Sequence, residues 1–230
     1  MLLPGPPNRA FLRAFRQVMN VTEGLFHITD HETRGDGLAH DTDLAQVPNL
    51  EWVPLSVQQY AGDVNGLAWR WHTRDGQPEA QGGFDLLTLQ EIYLSNWKGV
   101  VYFDNNTPDK ARMQTFKPVD FFVNEACVGL FHDERADPEL YLYTFEDEPE
   151  PLGVDLAGYL QLLTLSLGFY YWQLLIVELA RPDSPRPYLP ARDGHREQEL
   201  LDFVGTLPQL YPAFSLEAFV SLYDQVLLRR

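Results

Sequence analysis

The chain holds a single cysteine, Cys127, among 230 residues. An internal disulfide framework is therefore excluded, and the composition fits a reducing, cytoplasmic compartment. Positive charge is also scarce. Lys and Arg number 17 against 33 Asp and Glu, giving a net charge of -16 and a pI near 4.6. Direct binding of nucleic acid is not expected of such a chain, because phosphate contacts rest on Lys and Arg. Residues 1–9 lack an apolar stretch of secretory length. The sequence contains no Gly-x-Ser-x-Gly elbow, no P-loop and no dinucleotide fingerprint. No cofactor is expected.

Apolar residues are plentiful: 45% of the chain is hydrophobic and 13% aromatic, enough for a substantial core. They concentrate between Leu152 and Ala180, where no charge occurs from Asp155 to Glu178. Leu156, Tyr159, Leu160, Leu163 and Leu167 follow the spacing of one helical face. Asp155 is placed to cap this helix and Gly168 to end it. A second apolar run, Phe169 to Leu179, stops near Pro182. A bilayer span is disfavoured. Gln161, Thr164, Ser166 and Gln173 interrupt the run, and its flanks are acidic, with no Lys/Arg cluster. A buried pair of elements in the core accounts for the same residues.

Upstream, Arg9 to Gly24 fits an amphipathic helix, with Phe11, Leu12, Phe15, Val18 and Met19 on one side. His27 to Val47 is polar and broken by Gly35 and Gly37, and reads as loop with at most one short element. His27, Asp30, His31, His40, Asp41 and Asp43 fall there. His27 and His31 have the spacing of a zinc-binding pair on a helix, but Ile28 stands where such a motif carries Glu, and no metal is expected. Leu55 to Val64 fits a short helix, and Leu67 to Thr73 a strand with Trp69 and Trp71 on one face. Arg74-Asp-Gly-Gln77 fits a hairpin turn. Phe84 to Ile92 fits a strand end and a short helix. Further strands are expected at Val100–Phe103, Val119–Val123, Ala126–Phe131 and Leu140–Phe145. Asp104 to Lys110 lacks the glycine of a calcium loop. The short connections imply an antiparallel meander.

The fold expected is α+β: a twisted antiparallel sheet of about five or six strands packed by helices. Residues 1–181 form the domain with its N-terminal helical extension. Residues 182–194, rich in proline, read as a linker, and residues 195–230 as a C-terminal helical extension. There His195–Val204 and Phe214–Leu228 are the candidate helices, with Ser215 able to cap the second.

Excess negative charge gathers between Asp120 and Asp155, where Arg135 is the one basic residue. Either this is a solvated edge or it docks a basic partner, and its concentration in one region favours docking.

Three segments in order carry a family resemblance. Tyr60-Ala-Gly-Asp-Val-Asn-Gly66 enters the strand Leu67-Ala-Trp-Arg-Trp71. Gly82-Gly-Phe-Asp-Leu-Leu-Thr-Leu-Gln-Glu-Ile92 combines a glycine-led strand with a short helix. Leu156-Ala-Gly-Tyr-Leu-Gln-Leu-Leu163 is followed by Gly168 and Trp172-Gln173. Between about residues 50 and 179 the chain resembles the SUKH superfamily of Smi/Knr-type regulators and toxin-immunity proteins. Residues through Val47 and after Pro182 lie outside that likeness, and Val53-Pro-Leu55 mirrors the family's Leu-Pro only loosely.

The resemblance implies a non-enzymatic protein-binding module, whose partner would be a basic protein such as a toxin nuclease domain. The residues assigned to the partner are Asp133, Glu134, Asp137, Glu139, Tyr141, Glu146, Asp147 and Glu148. No catalytic or metal-binding residue is assigned. The competing classes are a metal- or carboxylate-dependent hydrolase and a structural or oligomeric scaffold. Cys127, in an expected strand, reads as a buried and inert thiol.

Overall fold

The computed structural model describes residues 11, 13–17, 20, 24–33, 45–101, 110–134, 137–145, 148–181 and 194–228. Seven antiparallel strands form one sheet in chain order: β1 (Phe26–Thr33), β2 (Leu67–Thr73), β3 (Gln81–Leu86), β4 (Phe116–Val123), β5 (Ala126–Phe131), β6 (Tyr141–Tyr143) and β7 (Glu150–Pro151). Residues 11, 13–17 and 20 are helical, and the helices with defined ends are α1 (Leu55–Asp63), α2 (Leu89–Leu94), α3 (Lys110–Met113), α4 (Leu156–Ser166), α5 (Gln173–Ala180), α6 (Gly194–Leu210) and α7 (Leu216–Val226). The class is α+β, as expected, with one more strand than the upper count.

Two strands, β1 and β7, are additional to those expected, and β1 falls largely where the sequence reads as loop with at most one short element. Its register with β2 shifts between Ile28 and Asp30. That bulge breaks the two-residue alternation by which a half-buried strand is recognised. Two other expectations change. Val100 and Val101 lie in a turn, not a strand. α6 continues past Val204 to Leu210 and carries Pro208 inside it.

Each sheet face buries different residues. In β5, Val128 and Leu130 join the main core, whereas Cys127 and Phe131 join a smaller cluster with Val101, Met113, Phe116, Tyr141 and Tyr143. Side chains alternate along a strand, so the two clusters lie on opposite faces. Burial pushes the Cys127 thiol up, which disfavours the reactive thiolate.

Helix α4 sits in the main core as the apolar pattern predicts. The Asp155 carboxylate accepts from the Gly158 N–H at 2.9 Å. Leu167 (φ 57°) and Gly168 (φ 64°) then turn the chain through left-handed backbone. The Trp71 indole N–H donates to the Leu167 carbonyl at 2.7 Å and fastens that turn to the sheet. The N-terminal region contributes Phe15, edge-on to both Trp69 and Phe84.

The C-terminal helices complete the same core. Phe203, Phe214, Phe219 and Tyr223 are buried within it. Phe219 packs edge-on against Trp172, and the Tyr223 hydroxyl donates to the Leu152 carbonyl. Glu150 accepts from Arg181 at 2.9 Å and from Arg196 at 2.7 Å. One carboxylate thus holds the end of α5 and the start of α6 to β7. Of the expected linker, residues 182–193 lie outside the described residues, and Gly194 opens α6.

Candidate functional site

The sheet forks between β3 and β4, which are registered at Leu86 and Asp120. Asp120 occupies the fork and is fully buried. One of its oxygens accepts from the Asp85 backbone N–H and the other from the Tyr159 hydroxyl, both at 2.7 Å. The Tyr159 oxygen in turn accepts from the Gln173 amide at 3.0 Å. A side chain therefore stands in for a ladder hydrogen bond and ties α4 and α5 to the sheet. Burial pushes the Asp120 carboxyl up to about 7. The two donated hydrogen bonds oppose that rise, nearby Asp85 adds to it, and Arg70 opposes it more weakly.

Past the fork, residues 168–170 take the edge of β3. The Gly83 N–H donates to the Gly168 carbonyl at 2.7 Å, and the Tyr170 N–H to the Gln81 carbonyl at 3.2 Å. Gly82 is required here. A Cβ at that position would lie 2.6 Å from both the Gly168 carbonyl oxygen and the Trp71 ring. At Gly83 a Cβ would meet the Trp69 carbonyl at 2.6 Å and the Arg70 Cγ at 2.9 Å, so the Arg70 stem lies over bare backbone.

A cleft of about 1280 Å³ opens beside this wedge. One wall carries Arg70, His72 and Arg74 from β2 and its turn; another carries Glu125, Glu199 and Asp202 from the β4–β5 turn and α6. Tyr170 and Tyr171 line it between them. Burial raises both hydroxyls; among the charges Arg70 and Glu125 act on Tyr170, and Glu125 and Glu199 on Tyr171. Asp75 and Glu79 stand beside Arg74, and Arg196 beside Glu199, so both signs occur on each wall. Tyr171 adopts φ 61°, an uncommon backbone for a bulky side chain, and its hydroxyl donates to Glu125 at 2.6 Å.

The residues assigned to a partner from the sequence lie elsewhere, around β6. Glu134 and Glu148 are exposed; Asp133 and Asp137 are half-buried. Asp137 accepts from the Glu139 backbone N–H at 3.0 Å. Glu139 is only 2% exposed and accepts from the Tyr141 hydroxyl, itself buried. Burial and then Glu139 push the Tyr141 hydroxyl up to about 12. The Arg112 guanidinium stands 3.9 Å over the Phe131 ring and 5.8 Å from that of Tyr141. Glu139 and Tyr141 are therefore buried support, while Glu134 and Glu148 lie in solvent and Asp133 and Asp137 are partly accessible. Glu146 and Asp147 lie outside the described residues, as do His40, Asp41 and Asp43.

The helical His27/His31 pairing does not occur. His27 is registered with His72 and His31 with Trp69, and the His27 and His72 rings lie 5.2 Å apart. Among the described residues no group of three or more His, Cys, Asp or Glu is arranged to hold a metal, and no helix is long and apolar enough to cross a membrane. The cleft escapes sequence reasoning because its walls come from strands, a turn and a helix more than 100 residues apart. The signal that was present is the Gly82-Gly83 pair, which marks a close backbone approach. Compared with known proteins, the chain matches no family model, no curated protein and no solved structure.

Proposed function

We propose that this chain is a non-enzymatic protein-binding module of the SUKH type, which engages a basic protein partner through the acidic loops around β6. The observation that supports this most is the exposure of Glu134 and Glu148, with Asp133 and Asp137 half-exposed, near a buried Glu139–Tyr141 pair. Carboxylates held out from a well-packed support lose little freedom on binding, and a concentrated negative field speeds encounter with a basic surface. A toxin nuclease domain fits this chemistry, because the surface it offers to phosphate would be the surface covered. Asp120 serves the fold instead: it is enclosed, and both its oxygens accept protein hydrogen bonds.

The test compares the wild-type chain with an Asp133→Asn/Glu134→Gln/Asp137→Asn variant in pull-downs at low and high salt. The expected result is one basic protein retained by the wild type at low salt, released by high salt and lost from the variant. Equal retention by both chains would refute the assignment of these loops.

A further inference from the structure

We propose that Asp120, Tyr159 and Gln173 form a proton relay in the sheet fork, whose chain of hydrogen bonds reverses direction when Asp120 gains one proton. The relay makes the start of α5 respond to the protonation of a strand. It lies in the core and does not rest on the acidic loops.

The observed bonds define one end state. Both Asp120 oxygens accept, Oδ1 from the Asp85 backbone N–H and Oδ2 from the Tyr159 hydroxyl, each at 2.7 Å. That is the pattern of an ionised carboxylate, which has no proton to donate. Tyr159 gives its one proton to Asp120, so its oxygen can otherwise only accept, and it does so from the Gln173 amide at 3.0 Å. The chain of donors therefore runs from Gln173 through Tyr159 to Asp120. One group is left over: the Gln173 Oε1 is buried and makes no hydrogen bond among the described residues. A buried acceptor in that condition is unfavourable.

A proton on Asp120 forces the opposite direction. Oδ1 faces a backbone N–H, which can only donate, so the proton settles on Oδ2 and is donated to the Tyr159 oxygen. The Tyr159 hydroxyl must then turn to its other neighbour. Gln173 meets it by turning its amide over, which presents Oε1 and gives the orphaned acceptor a partner. One proton enters from solvent, and no other bond to hydrogen breaks. All three side chains are fully buried, and burial is the main force on the Asp120 carboxyl. The other groups acting on it are Asp85 on β3, Arg70 on β2, Cys127 on β5, Tyr60 on α1 and Tyr170 after α4. Asp85 resists ionisation and Arg70 favours it; burial raises Cys127, Tyr60 and Tyr170, so these stay neutral near pH 7. The consequence falls on α5. Gln173 is its first residue, directly after Trp172, which packs on Tyr159 and Phe219.

The test is an NMR titration of the full chain between pH 4 and pH 9, reading the Asp120 carboxyl carbon and the Gln173 side-chain amide. In the wild type both signals are expected to shift together, with one midpoint near 7. Asp120→Asn places an amide donor where the proton would sit, so Gln173 should keep its low-pH shifts at every pH. Tyr159→Phe removes the middle member: Asp120 should still titrate, and the response of Gln173 should be lost. Circular dichroism checks that each variant folds, and the wild-type titration stands without them. The proposal is overturned if the Gln173 amide stays constant while Asp120 titrates, or if its response survives Tyr159→Phe. It is overturned equally if Asp120 does not titrate in this range, or if Asp120→Asn leaves Gln173 with its high-pH shifts.

Discussion

At the scale of single residues, Asp120 is the most consequential side chain. Its carboxyl ionises near 3.8 when exposed and about 7 in the fold. Well below pH 3.8 both states are protonated and the group is neutral to stability. As pH rises towards 7 the unfolded chain ionises while the folded one resists, so stability is lost, up to roughly 4 kcal/mol at about 1.36 kcal/mol per pKa unit. Asp120→Asn removes this dependence. The stability of the wild type minus that of the variant, from denaturant melts, should fall by a few kcal/mol between pH 4 and pH 8. A difference that stays flat would show that Asp120 does not resist ionisation. Gly82→Ala is expected to cost about 3 kcal/mol, because the added methyl meets backbone oxygen and an indole ring that cannot both retreat. A loss under 1 kcal/mol in the same melts would mean that the wedge at residues 168–170 is looser than described.

At the scale of elements, sequence reasoning succeeded where a local rule decides the structure. The Asp155 cap, the hairpin turn at Arg74–Gln77 (closed by a hydrogen bond from the Gln77 N–H to the Arg74 carbonyl) and the Ser215 cap all form as their residues suggest. Asp155→Ala should therefore cost about 1 kcal/mol by chemical denaturation, and an unchanged midpoint would show that packing alone sets the start of α4. Where non-local contacts decide, the pattern misled. β1 hides behind a bulge and a solvent-facing side. The proline in α6 suggests an earlier stop, but Leu207 and Leu210 are buried in the core and carry the helix past it. The acidic residues around β6 were visible in the sequence; that Glu139 is buried beneath them was not, because burial of one carboxylate among many depends on a tyrosine two residues away.

At the scale of the whole molecule, the C-terminal helices pack as part of the core. Phe203, Phe219 and Tyr223 cover Phe169, Trp172 and the carbonyl of Leu152. A chain ending at residue 181 would expose that surface, so it should lose the cooperative thermal transition of the full chain; an intact transition at the same temperature would show that residues 194–228 fold apart. The remaining charge imbalance belongs to the surface, where it acts on partners at a distance and on solubility. The measurement that bears most directly on the account is the affinity of the captured partner for the full chain as a function of salt, for the wild type and for Asp133→Asn/Glu134→Gln/Asp137→Asn. A steep loss of affinity with rising salt is expected for the wild type, and a weaker affinity with a shallower slope for the variant. Affinity that is independent of salt, or the same in both chains, would contradict it.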